Sequence, residues 1–460
     1  MEFLKIKGGT PLKGEIKAAG AKNAITKLLV ASLISNKKCI FHNVPTIAEV
    51  ATTVELCQEI GMEIEWDKQN KTLEVQTKEL RSCYIPQKFS GVNRIPILMI
   101  GALLGRTQED IIVPTSGGCN IGKRPVDFHI SALEKLGASI EYRKMQKEGA
   151  YIACAPEGLK GAHISLPYPS VGATENTILA ACRAKGKTVI ENAAIEPEVI
   201  DLVLFLQKLG VIIHVESYRR IVIEGSNEFS EVIHHVLTDR IEVASFAMAA
   251  IATEGRVFIE GAQHRNMMIF LNTLRKIGGG FLVKENGIEF FYDRPLKGNI
   301  SIETDVHPGF LTDWQQPFVT LLTQAHGFSL VHETVYENRF GYVATLNEMG
   351  ANIELSTNCV GTTPCRFSCL NFHHSAIIRG PTPLYGKKIV IPDLRAGFAY
   401  VMAALIAKDE SHLTNLHYLD RGYESLDDKL LSLGANLERK KDALESLNFL
   451  SEQKHCEVLI

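Results

Sequence analysis

Six predicted helices along this 460-residue chain each end in an aliphatic residue followed by glycine. The six glycines are Gly61, Gly137, Gly210, Gly278, Gly350 and Gly434, separated by 76, 73, 68, 72 and 84 residues. Glycine is the expected residue just past a helix end, because it adopts left-handed backbone angles without steric cost. A β-like run follows each glycine. The near-even spacing therefore predicts six copies of one structural unit.

A second helix is predicted earlier in each unit, with polar residues at its start and an almost wholly apolar body. The six starts contain Lys22-Asn23, Asn93-Arg94, Thr174-Glu175, Asp239-Arg240, Thr312-Asp313 and Asp393-Leu394-Arg395. A helix that is apolar on every side is buried. Each unit is therefore predicted as roughly strand–helix–strand–helix–strand, and the six buried helices would present their polar starts on a shared face.

Three of these helix starts carry a cation, namely Lys22, Arg94 and Arg395. Asp and Thr at such positions are explained by N-capping. Cations are not, because the start of a helix carries the positive end of its dipole. Three misplaced cations at equivalent positions favour a shared anion site over coincidence.

A glycine-rich loop precedes one predicted helix, with the sequence Ser-Gly-Gly-Cys-Asn-Ile-Gly-Lys-Arg-Pro-Val-Asp over residues 116–127. Cys119 lies close to Lys123 and Arg124, and neighbouring positive charge favours the reactive thiolate. Pro125 is suited to the first turn of a helix. The loop therefore indicates a reactive thiol beside an anion site; the alternative is a surface turn with an ordinary cysteine.

Composition limits the class of protein. Hydrophobic content of 45% and charged content of 22% are typical of a globular protein, and the length favours two or three domains. The net charge of −3 gives no support for nucleic-acid binding. The start of the chain has no secretory pattern, the apolar run over residues 95–104 is too short to span a bilayer, and the ten cysteines are scattered. We therefore expect reduced thiols in a cytoplasmic protein.

A cluster of cysteine and histidine stands apart from the repeat. It comprises Cys359, Cys365, Cys369, His373 and His374. Such residues can bind zinc, but the spacing Cys-x5-Cys-x3-Cys-x3-His-His matches no common zinc finger. We therefore predict a plain inserted loop and no metal site.

The loop around Cys119, together with Gly-Ala-Lys-Asn-Ala over residues 20–24, resembles the enolpyruvyl transferases that act on UDP-N-acetylglucosamine. The resemblance covers about residues 1–438. It implies an α/β fold of two domains with three units each and ligands in the cleft between them. The implied domains are residues 22–237, which carry the Cys119 loop, and residues 1–21 with 238–438. Residues 439–460 would be a C-terminal extension, either a helix or a frayed end.

The implied reaction moves the enolpyruvyl group of phosphoenolpyruvate to the 3-hydroxyl of UDP-N-acetylglucosamine and releases phosphate. It is the first committed step of peptidoglycan precursor synthesis. The resemblance implies no cofactor and no macromolecular partner, and we expect a monomer. One alternative is 3-phosphoshikimate 1-carboxyvinyltransferase, although its Gly-Asn-Ser/Ala-Gly-Thr motif is not found. The other is a catalytically idle paralogue that binds UDP-sugars.

Catalytic roles follow from the matched motifs. Asp313 would be the base for the sugar hydroxyl, and Cys119 the proton donor. Lys22, Arg395 and Arg421 would bind phosphoenolpyruvate. The resemblance assigns further substrate contacts to Asn23, Arg94, Arg124, Pro125, Val126, Asp127, Phe128, Tyr168, Pro169, Ser170, Val171, Gly172 and Val335.

The chain departs from the family at one site position. Tyr168 stands where a lysine is common, so one cation near the diphosphate is expected to be missing. Glu196, Asp239 and Arg339 match further polar positions that line the implied cleft.

Overall fold

The computed structural model describes residues 2–115, 117, 125–145, 148–362, 365 and 370–441. The strands are β1 (Glu2–Lys7), β2 (Lys13–Lys17), β3 (Cys39–His42), β4 (Glu63–Asp67), β5 (Thr72–Gln76), β6 (Ile111–Pro114), β7 (Ser139–Met145), β8 (Glu148–Cys154), β9 (His163–Ser165), β10 (Lys187–Glu191), β11 (Ile212–Glu216), β12 (Arg220–Glu224), β13 (Val232–His235), β14 (Arg256–Glu260), β15 (Gly279–Lys284), β16 (Gly287–Tyr292), β17 (Ser301–Glu303), β18 (Gly327–His332), β19 (Asn352–Ser356), β20 (Ser375–Gly380), β21 (Lys388–Val390), β22 (Glu410–Thr414) and β23 (Asn436–Lys441). The helices are α1 (Lys22–Ser32), α2 (Ala48–Ile60), α3 (Pro96–Leu103), α4 (Asp127–Lys135), α5 (Val171–Ala181), α6 (Pro197–Leu209), α7 (Arg240–Ala252), α8 (Met268–Lys276), α9 (Thr312–Leu322), α10 (Val343–Glu348), α11 (Leu394–Ile406), α12 (His417–Asp420) and α13 (Leu426–Ser432).

The described strands form six small sheets. The strand orders are β21-β22-β1-β23, β15-β16-β14-β2, β17-β18-β20-β19, β13-β3-β5-β4, β11-β12-β10-β9 and β6-β8-β7. In the second of these, β2 runs parallel to β14, and an antiparallel hairpin of β15 and β16 completes the sheet. The predicted α/β class and its repeats are confirmed. The sequence pattern missed the last strand of the unit, because both hairpin strands follow the glycine within one β-like run.

The repeating glycines and the apolar helices have the predicted forms. All six glycines have positive φ, between 87° at Gly434 and 114° at Gly350. Every residue of α7 and of α3 is buried. Phe246 of α7 and Phe398 of α11 meet edge to face with ring centroids 5.6 Å apart. Burying each such side chain contributes roughly 1.5–3 kcal/mol to folding, which is why these helices lie inside despite their polar starts.

The buried apolar residues form two separate clusters. One contains side chains from residues 4–18 and 241–437, and the other contains side chains from residues 21–236. The chain crosses between them twice, and the crossings lie side by side: Gly20 pairs with Thr238, and the Ala21 amide donates to the Leu237 carbonyl over 2.7 Å. We propose that these clusters are the cores of the two predicted domains.

The C-terminal part of the chain differs from the prediction at one point. Strand β23 continues to Lys441, so residues 439–441 belong to a sheet in which β23 pairs with β1. Arg439 also forms ion pairs with Glu2 and Asp420. Residues 442–460 lie outside the described part of the chain.

Candidate active site

Three buried helices of the first core, α7, α9 and α11, pack against one another and place their N-terminal residues close together. Asp239 caps α7 by accepting from the Ile241 amide over 2.7 Å. Asp393 caps α11 by accepting from the Arg395 amide over 2.9 Å. These two aspartates therefore have the capping role expected of short acidic residues at a helix start.

Asp313 is not a cap. Helix α9 begins at Thr312, and its N-cap position is Leu311, which offers no side-chain hydrogen bond. Instead, the Asp313 carboxylate forms two ion pairs, with Arg339 Nη2 at 2.6 Å and with Arg395 Nη2 at 3.4 Å. Its side chain remains 23% exposed, whereas both arginines are buried. The sequence left capping open as a role for Asp313, and the structure assigns it an electrostatic one.

Both arginines keep their charge in this buried position. Burial opposes the charged form of Arg339, but Asp313, Asp393 and Glu333 outweigh it, so the pKa of Arg339 is raised above its ordinary value. The pKa of Arg395 is raised too, because the attraction of Asp313, Tyr423 and Asp239 exceeds the cost of burial. Asp313 thus supplies the anion that the misplaced cation at the start of α11 requires.

Arg421 lies where residues of the two cores meet. Its Nε donates to Glu49 Oε2 over 2.9 Å, and its Nη2 donates to the Val92 carbonyl over 3.1 Å. Glu424, three residues later, accepts from the Thr46 amide over 2.7 Å. Arg421 therefore contacts the segment that leads into α3, two residues before Arg94.

The cations predicted at the starts of α1 and α3 lie at, or just before, the N-termini of these helices. Lys22 is the first residue of α1, with Asn23 directly after it, and both are half-buried. Arg94 lies two residues before α3. It is close to Tyr151, because its charge opposes the rise in the pKa of Tyr151 that burial causes.

Two segments that contain predicted substrate contacts meet through His129 of α4. Gly172, at the start of α5, lies so close to the imidazole that an added Cβ would be 3.0 Å from His129 Cε1. His129 Nδ1 is 3.2 Å from Asn176 Nδ2 on the next turns of α5. The remaining predicted residues of these segments are Pro125, Val126, Asp127, Phe128, Tyr168, Pro169, Ser170 and Val171. Ser170 caps α5, its Oγ accepting from the Ala173 amide over 3.4 Å.

The turn after β18 contains Val335 and is held by a buried carboxylate. Glu333 Oε1 accepts from the Val335 and Tyr336 amides over 2.9 and 3.1 Å, and Glu333 Oε2 accepts from Thr312 Oγ1 over 2.9 Å. Because Thr312 precedes Asp313, Glu333 fixes the Val335 turn against the start of α9.

The family model described as EPSP synthase (3-phosphoshikimate 1-carboxyvinyltransferase) matches residues 6–430. The chain belongs to this family of enolpyruvyl transferases.

Relatives of this enolpyruvyl transferase carry a more specific name. A protein of Protochlamydia amoebophila (strain UWE25) is 67% identical over 437 residues, which span 95% of this chain and 94% of the relative. A protein of Chlamydia abortus is 55% identical, spanning 95% and 98%, and one of Gluconobacter oxydans is 40% identical, spanning 96% and 100%. All three are named UDP-N-acetylglucosamine 1-carboxyvinyltransferase.

Solved structures share the fold at much lower identity. The enolpyruvyl transferase NikO from Streptomyces tendae matches with a TM-score of 0.83 at 21% identity, covering 96% of this chain and 99% of its own. An EPSP synthase from Acinetobacter baumannii matches with a TM-score of 0.72 at 18% identity, covering 96% and 100%. The two-domain enolpyruvyl transferase fold is therefore confirmed.

Some predicted features of the enolpyruvyl transferase lie outside the described residues. Cys119 and Arg124 both fall in residues 118–124, so their contacts stay a prediction. Among the described residues, no helix has both the length and the apolar character needed to cross a membrane.

Sequence reasoning missed three residues that position the site. Glu49 pairs with Arg421, Glu333 holds the Val335 turn, and His129 joins α4 to α5. Glu49 and Glu333 sit among ordinary apolar and polar neighbours, so no local pattern indicates their partners. His129 follows the Arg-Pro-Val-Asp-Phe motif directly, and that proximity was the one available signal.

Proposed function

We propose that this enolpyruvyl transferase moves the enolpyruvyl group of phosphoenolpyruvate to the 3-hydroxyl of UDP-N-acetylglucosamine. The observation that carries the proposal is 67% identity, over 95% of the chain, to a relative named for this reaction. The sugar oxygen adds to C2 of phosphoenolpyruvate while C3 accepts a proton. The phospho-ketal then loses phosphate from C2 and a proton from C3.

We assign the base role to Asp313. A base must reach the sugar hydroxyl. The residues around Asp313 are buried, whereas its carboxylate is partly exposed, so a ligand can approach it. The longer of its two ion pairs, to Arg395, is the one that an incoming anion would exchange most readily. When Arg395 turns to phosphoenolpyruvate, Asp313 keeps Arg339 and is released to accept the proton of the sugar hydroxyl.

We assign the phosphoenolpyruvate phosphate and carboxylate to Lys22, Arg94, Arg124, Arg395 and Arg421. Cations aimed at these groups stabilise the charge that develops in the addition step. Cys119 is the proposed donor of the proton to C3. Asn23 is assigned to phosphoenolpyruvate together with Lys22. The proposed contacts of the UDP-sugar are Pro125 to Phe128, Tyr168 to Gly172 and Val335. We further propose that the enzyme works as a monomer in the cytoplasm.

Phosphate release tests the proposal directly. The purified chain should release phosphate from phosphoenolpyruvate only when UDP-N-acetylglucosamine is present. Shikimate 3-phosphate is the control acceptor, and turnover with it alone would identify the sister activity. Absence of turnover with either acceptor, together with retained UDP-sugar binding, would identify an idle paralogue.

A further inference from the structure

Four side chains with soft or borderline donor atoms converge at one end of the sheet β17-β18-β20-β19. They are His332, Cys359, Cys365 and His374, and their ligand atoms all lie within 4.8 Å of one another. His332 ends β18 and His374 directly precedes β20, so strand pairing fixes the two imidazoles side by side, with ring centroids 5.7 Å apart. Cys359 follows β19, and its Sγ is 3.2 Å from His374 Nε2.

Both histidines are wholly buried, yet their ring nitrogens are poorly satisfied. Three of the four ring nitrogens have no hydrogen-bond partner among the described residues: both nitrogens of His332 and Nδ1 of His374. Leaving one such buried group unpaired costs about 1–3 kcal/mol, and folded proteins rarely do so. The cluster therefore has the property expected of a site whose ligand completes it.

The loop that carries the two cysteines packs closely against His332. An added Cβ at Gly361 would lie 2.3 Å from His332 Nδ1, so only glycine lets the backbone pass there. Thr362 anchors the same loop, its amide and hydroxyl donating to Glu303 Oε1 over 2.7 and 3.0 Å. Glu303 Oε2 is 4.0 Å from His332 Nδ1, which is too far for a hydrogen bond, and a small approach would let it orient a metal-bound imidazole.

We propose that His332, Cys359, Cys365 and His374 bind one zinc ion in a closed structural site. Two thiolates and two imidazoles are a donor set that zinc prefers, and four protein ligands leave no position open for catalysis. A tetrahedral zinc ion separates its ligand atoms by about 3.3–3.8 Å, so the observed separations require side-chain shifts of only about 1 Å.

The local spacing of cysteine and histidine did not indicate this cluster because one of its members is distant in sequence. His332 lies 27 residues before Cys359 and arrives by strand pairing, whereas His373, which the local cluster suggested, is exposed. Cys365 Sγ also approaches the Glu333 carbonyl at 3.8 Å. Because His332 directly precedes Glu333 in the chain, zinc bound to His332 would brace the residue that holds the Val335 turn.

Metal content tests the site without any use of activity. The full-length chain, purified under reducing conditions and desalted after incubation with zinc, should contain one zinc per chain by plasma mass spectrometry. Cys359→Ser, at an exposed position, should fold and bind zinc at least about tenfold more weakly. Cys154→Ser and Cys119→Ser are the matched thiol controls and should keep the zinc.

Cobalt provides a second readout for the same variants. Cobalt-loaded protein should show the intense visible bands of a tetrahedral site and a thiolate charge-transfer band, both lost in Cys359→Ser and in His374→Gln. Zinc-free protein after loading, zinc retained in Cys359→Ser, or a disulfide between Cys359 and Cys365 in the reduced preparation would each overturn the proposal.

Discussion

Asp313 forms two ion pairs and is also the proposed base. Its carboxylate lies between two buried guanidinium groups, at 2.6 and 3.4 Å. A substitution here removes a proposed base and also leaves Arg339 and Arg395 without their anion. The two effects have to be separated by choosing two variants.

Asp313→Ala should lower kcat by about 100-fold or more, the usual range for losing a positioned base. Asp313→Asn keeps a hydrogen-bond acceptor for Arg339. It should lower kcat as much as Asp313→Ala does, but it should disturb UDP-sugar binding less than Asp313→Ala. Asp409→Ala, on an exposed turn, is the control and should behave like wild type. Steady-state kinetics with both substrates measures the effect, and near wild-type kcat in Asp313→Ala would remove this residue from the mechanism.

Glu175 is a buried acid whose ionisation should affect stability. It is 1% exposed, and neither carboxylate oxygen has a hydrogen-bond partner among the described residues. Burial raises its pKa from 4.5 to about 7, with Lys27 opposing the rise. Between these two values the unfolded chain is ionised and the folded chain keeps the proton. Stability should therefore fall as the pH rises from about 4.5 to about 7.

Glu175→Gln should abolish that decline, because glutamine does not titrate. The free energy of unfolding of the variant minus that of wild type should rise by on the order of 3 kcal/mol from pH 4 to pH 8. Urea unfolding at both pH values measures the gain. Glu134→Gln, at an exposed site on α4, is the control. A difference between wild type and Glu175→Gln that does not change with pH would contradict the assignment.

Cys119 should be the one cysteine that reacts quickly with an epoxide phosphonate of the fosfomycin type. Such a compound resembles phosphoenolpyruvate in charge, so the cations at the site should hold it beside the thiolate. By contrast, burial raises the pKa of Cys39 and of Cys57 to about 12. Intact mass spectrometry should find one adduct, formed faster with UDP-N-acetylglucosamine and absent in Cys119→Asp. Adducts at the exposed Cys359 instead would contradict this interpretation.

At the scale of elements, the six glycines that follow α2, α4, α6, α8, α10 and α13 were predicted because the signal is local. Helices commonly end with a left-handed residue, and glycine adopts that conformation at least cost. The hairpin strand was missed because both strands lie within one continuous β-like stretch, in which Gly279 pairs with Tyr292 and Lys284 with Gly287.

Gly434→Ala isolates the backbone contribution of these caps. Gly434 has φ of 87°, and an added Cβ would meet nothing within 4 Å, so only backbone strain changes. The variant should lose about 1–2 kcal/mol in free energy of unfolding, measured by urea titration. Gly341→Ala is the matched control, since its surroundings are equally open and its φ is not left-handed. Equal stability of the two variants would contradict the explanation.

At the scale of the whole molecule, ion pairs join the parts of the chain that carry the two core clusters. Arg240 binds Glu198 through two contacts of 3.0 Å that are buried, and Lys71 binds Glu424 at 2.6 Å. Arg421 and Lys71 are partly exposed, with side chains 23% and 38% accessible. Their carboxylate partners Glu49 and Glu424 are buried, and separation of the two clusters would bring water to both ion pairs, whereas an anion bound between the clusters would favour the joined arrangement.

Small-angle scattering should therefore show a smaller radius of gyration when both UDP-N-acetylglucosamine and phosphoenolpyruvate are bound. Arg395 and Arg421 lie in one proposed domain and Lys22 and Arg94 in the other, so one anion can contact all four only in a closed cleft. Shikimate 3-phosphate with phosphoenolpyruvate is the control and should leave the radius unchanged. An unchanged radius under saturating substrates would count against ligand-driven closure.

Local chemistry was enough to predict the repeat, the buried helices and the glycines that end the other helix of each unit, because each depends on residues near one another in the chain. The motifs of the reaction came from the resemblance to a known family. Folding was needed to bring Asp313 to Arg395 across 82 residues and Glu49 to Arg421 across 372. It also gave Asp313 an ion-pair role in place of a cap and brought His332 to the cysteines of a loop. Such pairings arise from strand register and helix packing, which no short stretch of sequence specifies.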